Sequence, residues 1–133
     1  MIPRDFISEW KKSAPWIETY QVEQDLIISR ALVEMFSNSL LAEHLAFRGG
    51  TALFKLHMAP LRYSEDIDLV QVHAGSIGSI MDAIQEKLNS WLGAPKRDRS
   101  EGRVTLTYRV PSLNGICWKR SMIPGFSMTS SRC

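Results

Sequence analysis

The sequence predicts an α/β (α+β) domain in which helices pack on short strands. Three observations predict it. Residues 17–36 and 77–92 carry apolar side chains at helical spacing. Residues 45–47, 64–72 and 103–110 are short apolar or alternating runs of the kind that form strands. Helical and extended segments follow one another, punctuated by Gly, Pro and Ser. The 133 residues suit one compact domain, and 44% hydrophobic with 23% charged residues excludes disorder, collagen and a long coiled coil.

The elements can be justified in order. Trp10-Lys11-Lys12-Ser13-Ala14-Pro15-Trp16 breaks the chain after a short leading helix. From Ile17 to Phe36 the residues Val22, Leu26, Ile28, Ala31, Leu32, Met35 and Phe36 recur at three- and four-residue steps. Ser37-Asn38-Ser39 ends that helix and caps a short one through His44. Leu45-Ala46-Phe47 reads as a strand that stops at Gly49-Gly50, and Thr51–Met58 as a helix closed by Pro60.

Ser64 to Val72 is the second strand, and Gly75-Ser76 opens an amphipathic helix with Ile77, Ile80, Met81, Ile84, Leu88, Trp91 and Leu92 on one stripe. Gly93-Ala94-Pro95 stops it, and a charged loop leads to the third strand, Arg103–Val110. After Pro111 no period remains. The expected division is a core over residues 1–110 and an atypical basic tail over 111–133 that builds no core element.

Charge is uneven. Residues 1–93 hold 8 basic and 12 acidic side chains, whereas residues 94–133 hold 8 basic and 2 acidic. A basic end on an acidic body suits contact with a polyanion such as RNA, or a solvated tail. No apolar run is long enough to span a membrane, and the first residues lack a secretory pattern. Two cysteines, Cys117 and Cys133, make no disulfide framework, so a cytoplasmic location is expected.

Phe47 to Val70 carries the chemistry. Glycines at 49 and 50 let the backbone turn sharply and let a ligand approach. The helix behind them offers unpaired N–H groups and the positive end of its dipole, which suits phosphate, and Thr51 adds a hydroxyl. On a strand, Asp66 and Asp68 point the same way while Ile67 and Leu69 point into the core. Two adjacent carboxylates repel unless a cation lies between them, and hard oxygen ligands beside phosphates suit Mg²⁺.

A Gly-Gly pair alone is a common turn, and an Asp-x-Asp alone is a common exposed strand face. Their combination points to nucleotide chemistry. Arg62 and Ser64 stand ready to bind phosphate oxygens or to serve as loop residues. Lys55 either faces the phosphates or is a solvated helix residue, the second being favoured. His44, His57 and His73 show no ligand spacing, and Trp10, Trp16 and Trp91 read as core or staple residues. Phosphatases of the haloacid-dehalogenase type and Asp-x-Asp glycosyltransferases fit the pattern less well.

Phe47-Arg48-Gly49-Gly50-Thr51-Ala52-Leu53-Phe54-Lys55, followed by Arg62-Tyr63-Ser64-Glu65-Asp66-Ile67-Asp68-Leu69, strongly resembles the AbiEii/AbiGii toxin family of nucleotidyltransferases. Val22–Arg30 also looks like that family's N-terminal helix. The resemblance covers roughly residues 15–110. It implies a DNA polymerase β-like nucleotidyltransferase core with a small mixed sheet. It implies a nucleoside triphosphate on Gly49, Gly50 and Thr51, helped by Arg62 and Ser64, with Asp66 and Asp68 as catalytic residues and Mg²⁺ ligands. The implied partners are an acceptor such as tRNA and a cognate antitoxin.

The sequence departs from that family after Pro111. Its third strand lacks the later carboxylate usual in this fold, and the helical half that family members carry does not follow. A second expectation is therefore an inactive remnant, cut short by a shifted reading frame, that binds nucleotide or a partner protein. Its uncovered apolar surface would favour a homodimer.

Overall fold

The computed structural model describes residues 2–59, 63, 67–111, 113 and 117–122, with Pro111 and 117–122 described by backbone alone. Five helices and five strands follow in the order α1 (Arg4–Lys11), α2 (Thr19–Phe36), α3 (Ser39–His44), β1 (Leu45–Arg48), α4 (Gly49–Leu56), β2 (Asp68–Gln71), α5 (Gly78–Leu92), β3 (Lys96–Ser100), β4 (Arg103–Pro111) and β5 (Cys117–Met122).

The middle of the molecule is α2. Its N-terminus is fixed by a capping box in which the Gln21 side chain accepts from the Glu18 N–H. Val22, Ile27, Ile28, Ala31 and Met35 are buried, and α2 packs against α1, α3 and α5. From α5, Ile80, Met81, Ile84 and Leu88 close the other side of the core. Each such side chain contributes about 1.5–3 kcal/mol on burial. Asn38 caps α3 by accepting from the Leu41 N–H, so the chain turns directly into β1.

The strands form two antiparallel sheets among the described residues, where the family resemblance implied a small mixed sheet. β1 pairs with β2, placing Arg48 opposite Asp68 and Phe47 opposite Leu69. β3, β4 and β5 form the second sheet in that order. β4 alternates as predicted: Val104, Leu106, Tyr108 and Val110 face the core, while Arg103 and Arg109 are exposed.

Two expectations for the second sheet are corrected. The charged segment after α5 is not a loop but β3, exposed at every position and held by backbone pairing to β4. Glu101-Gly102 makes the two-residue turn between them, with Gly102 at φ +67°, a conformation that favours glycine. The segment after Pro111 also contributes β5, whose backbone pairs with β4 from Leu106 to Pro111. β3 shows no apolar alternation, because it does not rely on side-chain burial to hold its place.

Candidate functional site

The site is built where β1 ends and α4 begins. Arg48 is fully extended, at φ −141° and ψ −174°, and Gly49 at φ +86° swings the chain into the helix. The predicted helix start at Thr51 is therefore two residues late, since both glycines belong to the first turn. No side chain caps this turn, so its leading N–H groups and the positive end of the helix dipole are presented at the glycines. Gly50 is exposed and Thr51 is buried.

Asp68 meets that turn from β2. Ile67 and Leu69 are completely buried on either side of it, which turns the Asp68 carboxylate away from the core toward α4. A Cβ at Gly49 would lie 2.9 Å from Cγ and 3.0 Å from Cβ of Asp68, so only glycine allows this approach. Burial pushes the Asp68 carboxyl above its ordinary value, and the nearby positive charges of Arg48 and Arg103 partly offset that. Gly49, Gly50, Thr51 and Asp68 are thus brought together. Arg62, Ser64 and Asp66 lie outside the described residues.

Lys55 departs from both sequence readings. Its Nζ donates to Asp25 Oδ1 at 2.6 Å and to Ser29 Oγ at 2.9 Å, bridging α4 to α2. Trp10 Nε1 donates to the other oxygen, Asp25 Oδ2, at 2.9 Å. Asp25 is only 4% exposed, so this set satisfies a buried carboxylate and fixes the direction of α4. The signal was in the sequence: Asp25 and Ser29 fall in phase with Val22 on the inward side of α2.

Trp16 is a core residue as expected, with Phe54 and Tyr63 edge-on to it at 5.4 and 5.1 Å between centroids. Tyr63 also donates from its hydroxyl to Gln24 Oε1 on α2. Trp91 carries the Arg30 guanidinium 4.1 Å above its ring. Trp10 is partly exposed and serves as the Asp25 donor. His44 and His73 stack edge to face at 5.6 Å, and His44 Nδ1 lies 2.9 Å from the Leu40 carbonyl.

Arg103 was not foreseen as a site residue. It opens β4, and its charge acts on Asp68. Chemically, the site joins a carboxylate to a helix N-terminus, with two guanidinium groups in electrostatic range. Such a set suits a polyphosphate with a counter-cation. Among the described residues, no three His, Cys, Asp or Glu side chains converge. No helix among them is long and apolar enough to cross a membrane.

The family model described as "Nucleotidyl transferase AbiEii toxin, Type IV TA system" matches residues 30–116. That span covers about two thirds of the chain, includes the glycine turn and Asp68, and extends past Pro111. No curated protein and no solved structure gives a significant match.

Proposed function

Because the chain belongs to the AbiEii nucleotidyl transferase toxin family of type IV toxin–antitoxin systems, we propose that it transfers a nucleotide from a nucleoside triphosphate to an acceptor such as tRNA. The observation that carries this reading is the contact of Asp68 with Gly49, which places a carboxylate against a helix N-terminus. In this reading the backbone N–H groups of Gly49, Gly50 and Thr51 bind the triphosphate, and Arg62 and Ser64 assist from the segment before β2. The acceptor hydroxyl attacks the α-phosphorus and pyrophosphate leaves.

Asp66 and Asp68 would hold Mg²⁺. The donor chemistry fits: burial disfavours the charged form of Asp68, and a hard divalent cation relieves that cost. Bound there, the ion supplies charge neutralisation and alignment of the phosphates. Asp68 orients its own oxygens through the fixed register of β2 on β1. A cytoplasmic setting and an antitoxin partner belong to the same proposal.

The test is incorporation of labelled triphosphate into bulk tRNA with Mg²⁺. Transfer by the natural chain and its loss in Asp68→Asn support the proposal. Calorimetric binding of triphosphate with no transfer to any RNA would sink it. That outcome would favour a nucleotide-binding remnant, a reading supported by Arg103 beside Asp68 on a strand with no carboxylate.

A further inference from the structure

A cavity of about 310 Å³ opens between the end of β2 and the β3–β4 turn. It is lined by Gln71, Ile77, Arg99, Ser100, Arg103 and Val104. Among the described residues no carboxylate lines it. Two guanidinium groups, an amide and a hydroxyl offer donors in forked and single geometries, which match the oxygens of a phosphate.

The cations do not stop at the cavity. Over Lys96–Arg109 the sequence places five basic residues against two acidic ones. Arg97, Arg99, Arg103 and Arg109 are exposed, and none forms an ion pair among the described residues. Lys96 alone is engaged, with Asp98 at 3.2 Å. Arg97 and Arg99 share one face of the hairpin and Arg103 and Arg109 the other, so the cations surround the hairpin, which suits a chain of phosphates better than a single triphosphate. The hairpin also begins beside the candidate active site, since Gln71 lies three residues along β2 from Asp68, or about 10 Å at the rise of a strand.

We propose that the Arg99–Arg103 cavity binds a backbone phosphodiester of the acceptor RNA, holding the strand so that its end reaches Asp68. The role as acceptor site rests on the nucleotidyltransferase reading above. Arg99 and Arg103 supply the two cations, and Ser100 adds a hydroxyl at the rim. Arg99 lies outside the Asp68 site, whereas Arg103 is also in electrostatic range of Asp68.

The test is fluorescence anisotropy of a labelled single-stranded 12-nucleotide RNA, titrated with the full chain at several salt concentrations. The expected result is binding that Arg99→Ala and Arg103→Ala each weaken by about 3- to 10-fold, with the salt slope reduced by about 0.7 per arginine. The double reversal Arg99→Glu/Arg103→Glu removes binding. Lys12→Ala, an exposed cation on the far end of α1, changes nothing, and melting temperatures of the arginine variants stay within a degree or two of the natural chain.

Failure of the natural chain to bind the RNA overturns the proposal, as do arginine variants that bind like it. An Arg99→Ala variant that loses triphosphate binding as strongly as RNA binding also overturns it. Incorporation assays run in parallel separate the two readings. RNA binding that depends on both arginines in a chain that transfers nothing sinks the enzymatic reading and leaves the polynucleotide site. Transfer with an unchanged acceptor KM in the arginine variants sinks the site alone.

Discussion

The Asp68 side chain rests against the α-carbon of Gly49, closing a gap that any Cβ would fill. The contact joins the first turn of α4 to β2 and depends on a backbone angle, φ +86°, that side chains rarely tolerate. Gly49→Ala therefore combines steric conflict with backbone strain. We expect it to cost about 1–3 kcal/mol in urea unfolding and to lower nucleotide transfer by at least about 100-fold. Gly50→Ala, at a position without positive φ, should cost well under half as much. Equal losses for the two would show that the Asp68 contact is not what selects glycine.

Asp68→Asn should fold and should abolish transfer. The folded-state value of Asp68 is raised above the unfolded one, so its contribution to stability is fully present below the ordinary carboxylate range and is lost as pH rises through the raised value. The substituted protein has no such loss. The melting temperatures of the two proteins should coincide near pH 3 and diverge by pH 7, with Asp68→Asn the higher. Millimolar Mg²⁺ at pH 7 should raise only the natural chain's melting temperature. Thermal scans across pH, with and without Mg²⁺, check both points.

Lys55→Met leaves the Asp25 carboxylate buried with Trp10 and without its counter-charge. Loss of one partner of a buried pair costs about 3–5 kcal/mol, and the lower end applies because the Lys55 side chain is 16% exposed. Asp25→Asn/Lys55→Met should recover part of that loss. A double-mutant cycle by urea denaturation measures the coupling, and a coupling near zero would mean that α4 is held by apolar packing alone. The single variant should also raise KM for the triphosphate, since α4 carries the glycine turn.

Tyr108 is fully buried in β4, with its hydroxyl 3.2 Å from the Asn89 side-chain amide on α5. Burial pushes its phenol far above the ordinary tyrosine range. The neutral phenol is thus favoured by folding, and its contribution is present below the unfolded value, about 10, and fades as pH rises beyond it. Tyr108→Phe should cost about 1 kcal/mol at pH 7. Its deficit should shrink between pH 9.5 and 11, as followed by denaturation at each pH.

The elements visible in the sequence are those that bury a stripe or a face. The apolar stripes of α2 and α5 and the alternation of β4 lead directly to the observed core. Lys96-Arg97-Asp98-Arg99-Ser100 gives no such signal, because a strand exposed on both faces is specified by its neighbour's hydrogen bonds. The glycine turn and Asp68 were legible because their chemistry is local: a conformational demand at one and a strand-phase argument at the other. The phase of Asp25 on α2 places its carboxylate inward, but its bond to Lys55 crosses 30 residues, so that phase does not tell which side chain answers it. The approach of Arg103 to Asp68 depends on how two sheets are set beside one another, which spacing along a chain does not encode.

Because β3 borders its sheet among the described residues, its outer row of amide and carbonyl groups is a template for any extended chain that comes alongside. Lys96, Arg97, Asp98 and Arg99 put hydrated charge at four successive positions on that border. The same side chains that would attract a nucleic acid therefore repel a second molecule trying to zip onto the hairpin. Replacing them with neutral β-formers would convert a solubility guard into a nucleus for fibrils.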